Sequence, residues 1–266
     1  MDTLIIIGFS AATLIGISLG LIGGGGSIIT VPVLVYLMNI DPVTATAYSL
    51  FVVGTASLVG SVQYFQKGLV DLKTAFIFGI PAIAMVFLMR KIIVPAIPDT
   101  LFQMGNLIFT KDMGIMMMFA IAMIAASVSM IRGPKDPGTI EKPSKFNYPL
   151  LLLIGLLVGS FTGLVGAGGG FLIIPALIVL AKLPMKQAVG TSLLIIASNS
   201  LIGFLGDVSH RAIDWKFLLL FTAIAVVGIF IGSTLSNKIE GAKLKPAFGW
   251  FVFIMGIFIL GKSLIN

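Results

Sequence analysis

The sequence predicts an all-α integral membrane protein built from two homologous helical repeats, inverted relative to one another, each with a glycine-rich break and a short half-helix. Three observations predict it. First, 58% of the 266 residues are hydrophobic and only 10% are charged, whereas a soluble domain carries about 25% charged residues. Second, mean hydropathy is +1.14, and the apolar residues fall in blocks close to the roughly 20 residues that cross a bilayer as helix. Third, the chain aligns with itself at a fixed offset of 143 residues, without a gap, over residues 16–73 and 159–216.

The blocks are helical rather than β because stretches such as residues 150–157 and 247–260 lack the apolar and polar alternation of a membrane barrel. The segment at 4–22 has no basic region before it and no A-x-A site after it, so it is expected to be a retained helix rather than a signal peptide. With no cysteine, the chain excludes disulfides, thiolate catalysis, Fe–S ligation and zinc-thiolate sites. The net charge of +7 sits mostly in loops, where lysine and arginine report orientation and contact with lipid head groups. No nucleic-acid partner is expected.

The repeat matches 17 of 58 aligned positions. It pairs Gly16 with Gly159, Gly20 with Gly163, Gly23 with Gly166, Gly25 with Gly168, Gly26 with Gly169 and Pro32 with Pro175. Downstream it pairs Ser49 with Ser192, Ser57 with Ser200, Gly60 with Gly203, Asp71 with Asp214 and Lys73 with Lys216. Repeats of this kind are a common way to build transporters. The halves are read as residues 1–131 and 148–266, joined by a polar, Pro- and Gly-containing linker at 132–147. A polar stretch at 95–112 has no counterpart in the second half and reads as an insertion.

The first half holds apolar segments at 4–22, 28–38, 43–65, 75–94 and 113–131, and the second at 150–165, 171–181, 187–205, 217–235 and 247–264. The second segment of each half, about 11 residues, falls short of the roughly 17 needed to span. It is either a tilted short helix or a re-entrant piece. If all five segments of each half cross, the halves insert in opposite senses, and lysine and arginine collect on the side of the linker. That puts the linker inside and Met1 and Asn266 outside. If the short segments are re-entrant, the repeats are parallel. The charge asymmetry favours the inverted arrangement.

Gly23, Gly24, Gly25, Gly26 and Ser27 interrupt one apolar stretch, and Gly166, Ala167, Gly168, Gly169 and Gly170 interrupt the other. Pro32 and Pro175 follow at matching offsets and are expected in a first helical turn, with Val31 and Ile174 pushed toward extended geometry. Each half is therefore expected to contain a broken helix. Free N–H groups at a helix start within the membrane can hold an anion. Glycines can equally serve close helix packing, and the residues alone leave both roles open.

The two motifs GLIGGGGSIITVPVL and GLVGAGGGFLIIPAL, each followed by ATAYSL or AVGTSL, resemble the TauE/SafE sulfite exporter family over nearly the whole chain. That resemblance implies a transporter that exports sulfite, an organosulfonate or a related small anion across a bacterial inner membrane.

The candidate substrate-binding residues are Gly24, Gly25, Gly26, Ser27, Ser49, Gly168, Gly169, Gly170, Thr191, Ser192, Asn199 and Arg90. Tyr48 and Ser49 pair through the repeat with Thr191 and Ser192, whose hydroxyls either donate to an oxyanion or join helices. Arg90 either snorkels to the head groups or, if its helix continues past 94, lies inside as the cationic candidate. Asp207, His210, Arg211 and Asp214 read as a short solvated loop, with proton coupling by Asp207 or His210 as the other reading. No aspartate is expected within a helix. There is no P-loop, no H-E-x-x-H and a single histidine, so a secondary transporter is expected rather than an enzyme, with an anion channel as the competing reading. Expected partners are the small anionic substrate, the lipid bilayer, a coupling proton or ion, and a second copy in a homodimer. No metal or cofactor is expected.

Overall fold

A computed structural model of the chain describes residues 3–104, 107–132, 148–208, 212–235 and 241–265. Its first half runs α1 (Thr3–Ile22), α2 (Gly25–Pro32), α3 (Pro42–Gln66), α4 (Leu72–Leu88), α5 (Val94–Ala96) and α6 (Lys111–Arg132). The second runs α7 (Tyr148–Val165), α8 (Gly170–Val179), α9 (Met185–Val208), α10 (Trp215–Leu235) and α11 (Gly241–Ile265). The linker expected at 132–147 lies outside the described residues beyond Arg132. The protein is all-α apart from a two-stranded antiparallel hairpin, β1 (Thr100–Met104) and β2 (Leu107–Thr110), inside the 95–112 insertion.

Local chemistry starts the helices where the apolar periodicity predicts. Asp41 caps α3, its carboxylate accepting from Thr44 N at 3.1 Å, with Pro42 in the first turn. Asp71 caps α4 in the same way through Thr74 N, and Asp214 accepts from Phe217 N near the start of α10, each at 3.1 Å. The paired aspartates of the repeat are thus helix caps.

Two expectations about the prolines are corrected. Pro32 and Pro175 lie inside α2 and α8, and Val31 and Ile174 are helical. The helices start earlier, at Gly25 and Gly170. After Pro32, which has no N–H to donate, the chain widens into a π turn, Val33–Leu37. A second π turn, Met89–Ile93, joins α4 to α5, so the helix does continue past Arg90.

Helix α2 folds back along α1, because Gly26 meets Ile15 and Leu19 whereas Met38 reaches Gly8. In the second half the same turn brings Gly169 against Thr162 and Val158 of α7. Helices α3 and α9 form the buried centre, with 72% of each apolar window covered against 33% for Leu72–Ala96. They run antiparallel: Gly54 faces Leu201, Gly190 faces Tyr64, and the rings of Phe51 and Phe204 lie 4.9 Å apart.

The outer helices pair across the two halves. Helix α1 packs on α10, with Gly16 against Ala225 and Gly20 against Ile229 and Ser233. Helix α7 packs on α4, with Gly159 against Ala82 and Gly163 against Val86 and Met89. Absent side chains let these backbones approach, which is how membrane helices associate without a hydrophobic drive between them. Large apolar side chains such as Leu14, Phe76, Ile80, Leu157, Leu205 and Ile254 face outward, as a lipid-facing surface requires. Five helices are long and apolar enough to cross a membrane among the described residues, and α1, α2 with its π turn, α7 and α11 contribute shorter apolar stretches.

Candidate functional site

The two glycine loops converge beside the α3/α9 pair. They touch through Gly24 and Gly170, where a Cβ on either would lie 2.5 Å from the other's backbone. Gly23 abuts Val189 and Ser192 of α9, and Gly168 abuts Val53 of α3 and Ser200 of α9. In the first loop Gly23 takes positive φ, while Gly25 opens α2 with helical geometry. In the second loop Gly166, Gly168 and Gly169 all take positive φ, +73°, +64° and +71°. Only glycine enters that region without strain, so the second loop is bent by its sequence rather than by its neighbours.

Gly166 N–H donates to Thr162 O, and the next backbone bond is from Leu172 N–H to Gly169 O. The intervening amides stand at the start of α8, at the positive end of its dipole.

Around the loops sits a belt of buried hydroxyls of two kinds. Ser27 donates to Gly24 O at 2.7 Å, Thr30 to Gly26 O at 2.8 Å and Ser192 to Val189 O at 2.8 Å, the usual fate of a helical hydroxyl. Ser49, Ser57, Ser200 and Thr162 make no such bond, and neither end of the Asn199 amide has a partner. Ser49, Ser57, Asn199 and Ser200 lie on α3 and α9, fully buried. Buried polar groups are almost always satisfied, and two of these exceptions, Ser200 and Thr162, border Gly168 and Gly169 of the second loop, where unpartnered donors beside irregular backbone point to a polar guest.

Thr191 is placed otherwise. Its Oγ1 accepts from Asp71 N at 2.9 Å, and the repeat-related Tyr48 hydroxyl accepts from Asp214 N at 2.7 Å. These two hydroxyls hold the starts of α4 and α10.

Arg90 is fully buried in the π turn after α4, and does not snorkel. Its Nη1 donates to Asp207 Oδ2 at 3.1 Å and to Thr46 Oγ1 at 3.0 Å. Asp207 is only 2% exposed and belongs to α9, which corrects two expectations: it is not in a solvated loop, and a helix does carry an aspartate. The long apolar run stops at Leu205, but a buried cation across the interface satisfies the Asp207 carboxylate and the helix continues to Val208. His210 and Arg211 lie outside the described residues. No group of three metal-ligating side chains occurs among the described residues.

A bundle of apolar helices with broken elements meeting at buried donors defines a polytopic membrane transporter. The family model "Sulfite exporter TauE/SafE" matches residues 8–259, and the chain belongs to this family. It is similar to a "Probable membrane transporter protein" of Xylella fastidiosa strain 9a5c, 28% identical over 97% of this chain and 96% of the relative. It is also similar to the "Probable membrane transporter protein YdhB" of Bacillus subtilis strain 168, 24% identical over 93% of this chain and 96% of the relative.

Proposed function

We propose that this transporter is a secondary carrier that exports a small sulfur oxyanion, sulfite or an organosulfonate, across a bacterial inner membrane. The observation that carries the reading is the set of buried, unpartnered donors on α3 and α9, of which Ser200 borders Gly168 of the second glycine loop. An oxyanion accepts several hydrogen bonds at once and needs no metal to be held. Serine hydroxyls, the Asn199 amide and helix-start N–H groups are such donors. The relatives' names support transport, and the family's description supports the sulfur anion and the direction.

The inverted arrangement belongs to the same reading. The antiparallel course of α3 and its repeat partner α9 supports it, since parallel repeats would place these helices in the same sense. With the linker in the cytoplasm, both termini then lie outside.

A binding screen of the purified protein against sulfite, sulfate, thiosulfate and sulfoacetate, with carboxylate controls, tests the substrate class. Saturable binding of the sulfur anions is expected, and stabilisation by carboxylates alone would overturn it. Counter-flow in proteoliposomes separates a carrier, which shows it, from a channel, which does not.

A further inference from the structure

We propose that Arg90 and Asp207 form the coupling site of this carrier, where each anion held by Arg90 is accompanied by a proton on Asp207. The proposal rests on the oxyanion reading above and adds the coupling ion to it.

The pair is built into the junction between the halves. Arg90 comes from the first half and Asp207 from the second, and both are buried. Two glycines make room for the arginine. Arg90 Nη2 lies 2.5 Å from where a Cβ of Gly166 would stand, and the arginine's own Cβ lies 3.0 Å from that of a substituted Gly206. The guanidinium therefore borders the backbone of the second glycine loop directly.

The repeat supplies an internal control. Shifting by 143 places Ser233 at Arg90, Tyr64 at Asp207 and Val189 at Thr46. The packing agrees, because Gly163 meets Val86 and Met89 as Gly20 meets Ile229 and Ser233. At that second end, Ser233 donates to Gln63 Oε1 at 2.5 Å and the Tyr64 hydroxyl donates to Gly20 O at 3.3 Å. The Ser233–Gln63 bond thus joins α10 to α3 through neutral side chains, where Arg90 and Asp207 join the end of α4 to α9 through charged ones. Holding helices together does not require an ion pair, and the charges at the first end serve another purpose.

That purpose follows from competition. An oxyanion reaching Arg90 while Asp207 is ionised places two negative charges around one guanidinium in an apolar interior, where repulsion is poorly screened. Arginine does not give up its proton, so the conflict is relieved at Asp207, which takes a proton from water onto a carboxylate oxygen. Departure of the anion lets the carboxylate return to Arg90 and expel that proton. A monovalent anion then moves with one proton and no net charge.

Other charged groups on neighbouring elements are, among the described residues, engaged elsewhere. Lys91 is exposed with its ammonium 5.2 Å from the Phe87 ring, Asp41 caps α3, and Lys111 pairs with Asp99 at 3.1 Å. Along α7 no charged residue occurs. His210 and Arg211 follow Asp207 outside the described residues.

The test uses the full-length protein in detergent, with methanesulfonate and thiosulfate as probes because neither titrates near neutrality. Binding is measured from about pH 6 to pH 8 in weakly buffered solution containing an indicator dye, which reads proton uptake. For the wild type, one proton is expected per anion, with affinity falling up to about tenfold per pH unit. Asp207→Asn mimics the protonated carboxyl and should bind with no proton uptake and a flat pH profile. The double variant Arg90→Gln/Asp207→Asn, which buries no charge, should fold and lose binding. Anion binding by the wild type without proton uptake, or an unchanged pH slope in Asp207→Asn, overturns the proposal alone. Retained affinity in the double variant overturns it as well. No binding of either probe or of sulfite by the wild type overturns the oxyanion reading and this proposal with it.

Discussion

The Oγ1 of Thr191 in the second half accepts a hydrogen bond from the backbone N of Asp71 in the first, 2.9 Å away. Its repeat-related counterpart, from Asp214 N to the Tyr48 hydroxyl, spans 2.7 Å. Each half thus holds the entry of the other half's fourth helix. Thr191→Val and Tyr48→Phe are expected to destabilise the protein by about 1 kcal/mol each and to leave anion affinity unchanged, as read by melting temperature and binding on the same samples.

The unpartnered hydroxyls predict the opposite pattern. Ser49, Ser57 and Ser200 donate to no carbonyl, so their alanine variants forfeit no bond and should melt at or above the wild-type temperature. Anion affinity should fall about tenfold for each lost donor, on the usual scale of a hydrogen bond to a charged group. Unchanged affinity in all three would remove the α3/α9 belt from the site.

Glycine substitutions separate packing from loop geometry. A Cβ on Gly16 would collide with the Ala225 carbonyl of α10, so Gly16→Val should cost about 1–3 kcal/mol or more by overpacking. Gly261 meets nothing within 4 Å, and Gly261→Ala should be neutral or slightly stabilising within its helix. In the second loop, Gly168→Ala meets both a left-handed backbone and Val53, and should lower anion binding more than Gly25→Ala, where the backbone is helical.

Topology gives a further check. With inverted halves, reporter fusions after Asn266 should be active only outside the cytoplasm, and fusions within the linker only inside. A C-terminal fusion active in the cytoplasm would reverse the orientation proposed here.

Much of this was legible in the sequence, because membrane helices advertise themselves by length and apolarity. Residues 187–205 and 217–235 fall within the helices Met185–Val208 and Trp215–Leu235, and the glycine breaks sit where the motifs place them. The residues around the loops were legible in part. The repeat pairs Ser49 with Ser192, but the burial of Arg90 was only one of two readings, since an arginine at the end of an apolar segment equally suits snorkelling to the head groups and only the folded interface shows it enclosed. Asp207 was not legible, since its partner lies 117 residues away and only the folded interface supplies it. The prolines misled because their local preference for a first turn was overridden by glycines that start the helices earlier, with a π turn absorbing the lost donor of Pro32.

The crosswise pairing of outer helices has a consequence for how the protein is made. Helix α1 leaves the ribosome first, yet the surface that covers Gly16 and Gly20 is α10, which begins only at Trp215. Helix α4 likewise waits for α7 to cover Ala82 and Val86. The early helices must therefore rest in the membrane with their close-packing grooves open to lipid until nearly the whole chain has been synthesised. A truncated first half lacks the α7 and α10 surfaces that cover those grooves, so assembly waits on helices of the second half rather than proceeding by sequential domains.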